Sequence, residues 1–144
     1  MKNKWLMILI SGLIFSACTS VQKGNDTKSK KNFFMTIYDA DIESPDQDRH
    51  CYYVIYIDKI ESGRTNTGLE SQKKYYEEYL IPNRHLIKIE KWLLNVNLGR
   101  YIKLNNIDQP KPDYIYVNIE KNKTVRVTVK SSKSGIASFS IIEK

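Results

Sequence analysis

Cysteine and histidine are scarce in this chain, two of each in 144. Two cysteines allow one disulfide at most, so no disulfide framework holds the fold. His50 and His85 stand alone, without a second histidine at ligand spacing, which argues against zinc. There is no Gly-x-Ser-x-Gly and no phosphate-cradling glycine loop. The chain therefore reads as a non-enzyme without a cofactor. No apolar run reaches the roughly 20 residues that a membrane-spanning helix needs.

A basic stripe in the folded part is also missing. The formal charge is +7, but the excess is concentrated at the start. Lys2 and Lys4 open the chain, and Lys23, Lys28, Lys30 and Lys31 stand against Asp26 alone. From Phe33 to Lys144 there are seventeen basic and fifteen acidic side chains, a net of +2. A nucleic-acid partner is excluded on this ground, because such a face concentrates charge within the fold.

What the chain does carry begins at its first residue. Behind Lys2 and Lys4, the run Trp5 to Phe15 is almost wholly apolar, and the small residues Ser16 and Ala17 precede Cys18. A charged start, a short apolar stretch and small residues make a signal segment, 1–17. The sequence "LIFSAC" resembles the lipobox of bacterial lipoproteins. The resemblance implies cleavage before Cys18 and a diacylglycerol, with its palmitate-type chains, on the Cys18 thiol. The implied location is the cell membrane or outer membrane, on the exported side. Cys51 then has no partner for a disulfide, and its place in "HCYYVIYI" reads as a small buried hydrophobe on a strand. His50 beside it points to the opposite face.

Residues 18–32 follow as the lipidated cysteine and a polar, charged tether. From Phe33 the hydrophobic period is mainly two, so 33–144 reads as one domain. "FFMTIYD" (33–39) and "CYYVIYIDKI" (51–60) are candidate strands, the second central because both its faces are apolar. "HLIKIEKWLL" (85–94) and "GRYIKLNN" (99–106) follow, with "QPKPD" (109–113) unable to continue a central ladder. In "YIYVNIE" and "TVRVTVK", Ile115, Val117, Val125 and Val127 point inward, while Tyr114, Tyr116, Arg126 and Thr128 point outward. Asn122 in the turn between them is suited to positive φ. "IASFSIIE" ends the chain with Ala137, Phe139 and Ile141 on one face.

Residues 67–80 are ambiguous. Thr67 and Glu70 have the spacing of a capping box for a short helix, and "KKYYEEYLI" equally reads as a tyrosine-rich edge strand. The fold class expected is mainly β, a single small antiparallel β-sandwich, immunoglobulin-like or otherwise, with an optional short helix near 67–80. "VIYIDKIESGRTNT" followed by "LIPNRHLIKIEKW" resembles the PEGA type of small β-sandwich module. Ile57, Asp58, Gly63 and Thr65 match its first half, and Pro82, His85, Ile87 and Ile89 its second. Lys59, Asn66 and Asn83 stand where that type has glycine, proline and glycine. The resemblance implies an envelope accessory and carries no catalytic residues.

Two groups of side chains invite a functional reading. Asp39, Asp41 and Glu43 alternate in an acidic stretch, a weak cation candidate that lacks the glycine and the closing glutamate of a calcium loop. Among ten tyrosines, Tyr114 and Tyr116 lie on the polar face of their strand, while Tyr75, Tyr76 and Tyr79 crowd the ambiguous segment, with Trp92 near them in sequence. Exposed rings with a polar handle serve protein or glycan recognition. The expected task is that of a membrane-anchored, non-catalytic envelope accessory or binding protein. The alternative is an envelope-anchored inhibitor or immunity protein that neutralises a toxin or hydrolase.

Overall fold

The structure, a computed structural model, describes residues 30–132 and 134–144. The signal segment, Cys18 and the tether up to residue 29 lie outside the described residues. Among the described residues ten strands form: β1 (Phe33–Asp39), β2 (His50–Ile57), β3 (Ile60–Arg64), β4 (Gly68–Leu69), β5 (Lys74–Glu78), β6 (Asn83–Asn95), β7 (Arg100–Lys103), β8 (Tyr114–Ile119), β9 (Val125–Ser131) and β10 (Ala137–Glu143). A single 3-10 turn, Pro45–Gln47, is the one helical element among the described residues.

Two sheets face each other, one ordered β10-β9-β1-β5 and the other β3-β2-β6-β7. In the second, β4 also pairs with β2, and β8 pairs with β6. Alternation dictates the inner faces. Phe33, Met35 and Ile37 of β1, with Val125, Val127 and Val129 of β9, meet Cys51, Tyr53 and Ile55 of β2, Ile87, Ile89 and Leu93 of β6, and Val117 and Ile119 of β8. Burial of these side chains is the main stabilising term of the sandwich.

The mainly-β sandwich expected from the sequence is present, with four differences in detail. The segment 67–80 is not helical: it forms β4, a turn and β5. Lys74 and Tyr76 point inward while Tyr75 and Glu77 point out, and β5 closes the edge of the first sheet against β1. The period of two prevails because β1 would otherwise present a bare edge. Second, β1 and β9 run parallel, so the sheets are not wholly antiparallel. No short turn links these two strands, so nothing forces a hairpin orientation. Third, the run 51–60 is two strands. Asp58 and Lys59, at φ 52° and 73°, make a two-residue turn of the primed hairpin kind, and the chain folds back as β3. Fourth, β8 and β9 do not pair with each other. The turn at Asn122, φ 64° as expected, carries the chain from one sheet to the other.

Asn32 fixes the entry to β1. Its side-chain amide donates to Leu80 O and its Oδ1 accepts from Leu80 N, each at 2.8 Å. Val125 N donates to Asn32 O at 2.8 Å.

Candidate functional site

The register of the six-stranded sheet places its polar-face residues together. Tyr52 stands opposite Trp92, and Tyr56 opposite Lys88. Leu86 stands opposite Tyr116, Lys88 opposite Tyr114, and Lys103 opposite Trp92. The outer face thus carries six aromatic side chains, five of them in two clusters and Tyr56 between. Tyr52 stacks on Trp92 at 6.0 Å with 10° between the rings, meets Tyr101 edge-on at 5.0 Å, and is covered by the Arg64 guanidinium at 5.3 Å. Tyr114 and Tyr116 meet edge-on at 5.9 Å, and Arg84 lies 4.0 Å above the Tyr116 ring. Tyr114 and Tyr116 are about half exposed, at 53% and 51%. Trp92 is partly covered, and its indole Nε1 is buried without a hydrogen-bond partner among the described residues.

Between the clusters sits Glu90. Its Oε1 accepts from Lys88 and Lys103, each at 2.7 Å, and its Oε2 from the Tyr56 hydroxyl at 3.1 Å. Burial pushes this carboxyl up, but the bonds from Lys103 and Lys88 outweigh it and hold Glu90 below the usual carboxylate range. A cleft of about 320 Å³ opens beside it, lined by Lys88, Lys103, Asn106, Gln109 and Asp113 among others.

The inner face holds a second polar constellation. Lys91 shares the inward parity of Ile87, Ile89 and Leu93, and its ammonium bonds Asp39 Oδ2 and, at 2.6 Å, Glu70 Oε1. The Tyr53 hydroxyl donates to Asp39 Oδ1 at 2.9 Å. Arg49 Nε donates to Glu70 Oε2 at 3.1 Å. Lys91 is pulled down by burial, yet Asp39 and Glu70 raise it above the ordinary lysine value. Glu70 is pushed up by burial, but Arg49 and Lys91 bring it below its ordinary value. Tyr53 is raised by burial and by Asp39, so it stays a phenol. Lys74 satisfies its charge locally, on the carbonyls of Leu69 and Gln72. Cys51, buried next to this group, has its thiol pushed up to about 11 by burial and stays unreactive.

His85 is buried below the turn between β2 and β3. Its Nδ1 lies 2.7 Å from Asp58 Oδ2 and its Nε2 2.8 Å from Ile81 O. Asp58 also accepts from Leu86 N at 2.9 Å. The backbone bond from Leu86 and the ring of His85 hold the Asp58 carboxyl below its usual range.

Tyr114, Tyr116 and Trp92 therefore do share a face, but not one cluster. Tyr114 is opposite Lys88, and four residues at about 3.3 Å each separate Lys88 from Trp92. The cation candidate is corrected: Asp39 is enclosed and bonded by Lys91 and Tyr53, while Asp41 and Glu43 lie outside the core, so the three carboxylates do not converge. Among the described residues no group of three or more acidic, histidine or cysteine side chains is placed to hold a metal ion. Sequence reasoning did not single out Tyr52, Tyr56, Tyr101, Arg64 or Arg84. The alternation of "YYVIY" was the available signal for the first two. Comparison with family models, curated proteins and solved structures gives no match to this chain.

Proposed function

We propose that the chain is an exported protein, lipid-anchored through Cys18 to the cell membrane or outer membrane, that binds a protein partner without catalysing a reaction. The observation that carries the binding role is the aromatic outer face of the six-stranded sheet, with arginines laid on two of its rings. Tyrosine, tryptophan and arginine are the side chains that anchor protein interfaces, because they supply rigid apolar area with a polar edge. The lysine-flanked apolar segment ending at Cys18 supports the anchor.

The test has two arms. Metabolic labelling with an alkyne fatty acid should mark the wild type and not Cys18→Ala, and an unlabelled wild type would remove the anchor. Cross-linking in intact cells should capture a partner that Tyr116→Ala and Trp92→Ala each lose. Tyr75→Ala, on the other sheet, should retain it. Loss with Tyr75→Ala alone would move the surface to the opposite face.

A further inference from the structure

The side chains enclosed between the sheets stand as nucleophile, electrophile, proton carrier and oxyanion donor. We propose that Lys91 and Asp39 condense to an intramolecular amide bond, made once by the folded chain itself, with Glu70 carrying the proton. Lys91 Nζ touches Asp39 Oδ2 and lies 2.6 Å from Glu70 Oε1, while the Tyr53 hydroxyl donates to Asp39 Oδ1 at 2.9 Å. Asp39, Tyr53, Glu70 and Lys91 are all buried, none more than 3% exposed.

An ammonium beside a carboxylate does not condense in water, because the amine is protonated and solvent stabilises both ions. Enclosure weakens that barrier. Shifting one proton from Lys91 to Asp39 turns the pair into an amine and an acid without changing net charge. That neutral pair is the form that reacts, and in the enclosed site no shell of solvent has to be stripped from it before the two groups meet. The nitrogen then attacks Cγ of Asp39. The new C–N bond forms, and the carbonyl electron pair moves to Oδ1, to which the Tyr53 hydroxyl donates a hydrogen bond. Glu70 takes a proton from the nitrogen and delivers it to the Oδ2 hydroxyl. The electron pair on Oδ1 re-forms the carbonyl, the Cγ–Oδ2 bond breaks and water leaves. One ammonium and one carboxylate have become one amide and one water, with no oxidant or reductant, and Glu70 ends as it began.

The surroundings fit the product as well as the reactants. Arg49 holds Glu70 through Nε at 3.1 Å and its terminal nitrogen at 3.3 Å, so the remaining charges stay matched once Lys91 and Asp39 are neutral. The Lys91 backbone is also fixed. Its N donates to Gln109 Oε1 at 2.7 Å, and its O accepts from Gln109 Nε2 at 3.1 Å. The bond would span 52 residues and join β1 of one sheet to β6 of the other.

Peptide mapping of the full chain decides the matter. The purified protein is denatured and digested with trypsin, and the masses are read. The wild type should give a linked peptide containing Asp39 and Lys91, lighter by one water than its two parts, with no cleavage after Lys91. Glu70→Gln keeps the shape of the side chain and should slow the linkage by about 10²-fold or more. Tyr53→Phe, which leaves all three reacting groups in place, should slow it by about 10²-fold. Wild-type protein with separate Asp39 and Lys91 peptides at full mass shows an ion pair only and overturns the proposal. Linkage at the wild-type rate in Glu70→Gln overturns the assigned role of Glu70. If that variant does not fold, Tyr53→Phe supplies the rate comparison and the wild-type mass still decides.

Discussion

Val127 and Thr128 are chain neighbours in opposite surroundings. Val127 is 1% exposed in the core, while Thr128 is half-buried on the outer face. Val127→Asp places an unpaired carboxylate between the sheets and is expected to cost about 3 kcal/mol or more. Thr128→Asp should stay within about 1 kcal/mol, since its side chain reaches water. Thermal melts of the two variants read the difference, and a reversed order would reverse the facing of β9. Such residues are legible because a strand shows its period directly. Lys91 and Asp39 were harder. Each shares the parity of apolar residues, Lys91 with Ile87, Ile89 and Leu93, and Asp39 with Phe33, Met35 and Ile37. A charge on an inward position announces a buried partner, but the sequence does not say that the two meet. That pairing needs the distance between sheets.

At the level of elements, β1, β6, β8 and β9 were readable because their alternation is long. The segment 67–80 was not. Local spacing offers Thr67 and Glu70 as a cap, yet Glu70 turns inward to Arg49 and Lys91, and the tertiary demand of β1 for an edge partner decides the period. The short turn between β8 and β9 was also misleading. A short turn between alternating strands usually closes a hairpin, whereas this one crosses between sheets. Gln109 shows what a proline-rich connection can hide. β6 exchanges its upper half with β7 and its lower half with β8, which leaves Lys91 between them. The Gln109 amide fills that gap, bonding the Lys91 N and O and, at 2.9 Å, Leu104 O. Gln109→Ala leaves those backbone groups without this partner and should destabilise the domain by about 2–3 kcal/mol. Urea unfolding measures it, and an unchanged midpoint would show that the amide is dispensable.

For the whole molecule, pH is the sharpest probe. Glu70, Glu90 and Asp58 are all held below their ordinary values in the folded protein. A carboxylate depressed by folding contributes its stability in full above its unfolded value. It loses that contribution as pH falls through the folded value. Urea midpoints should therefore be flat from neutral pH down to about 5, then fall as the solution passes below the ordinary carboxylate range near pH 4. A midpoint that rises on acidification would contradict the ion pairs described here.

Asn32 has a consequence for the direction in which the domain yields. It is knotted to Leu80 and Val125 at the point where the chain enters β1. From there β1 is flanked along its length by β9 and over most of it by β5. A pull delivered through the residues before Asn32 runs along the strand axis. It loads both ladders in shear, so the bonds must fail together rather than peel one at a time. Unfolding under such a load is set by the rate of that collective rupture. The same pull on Glu143 at the other end of the chain meets β10, an edge strand with a single neighbour, which tears away more readily. The domain is thus mechanically polar, strong when loaded along β1 and weaker when loaded along β10.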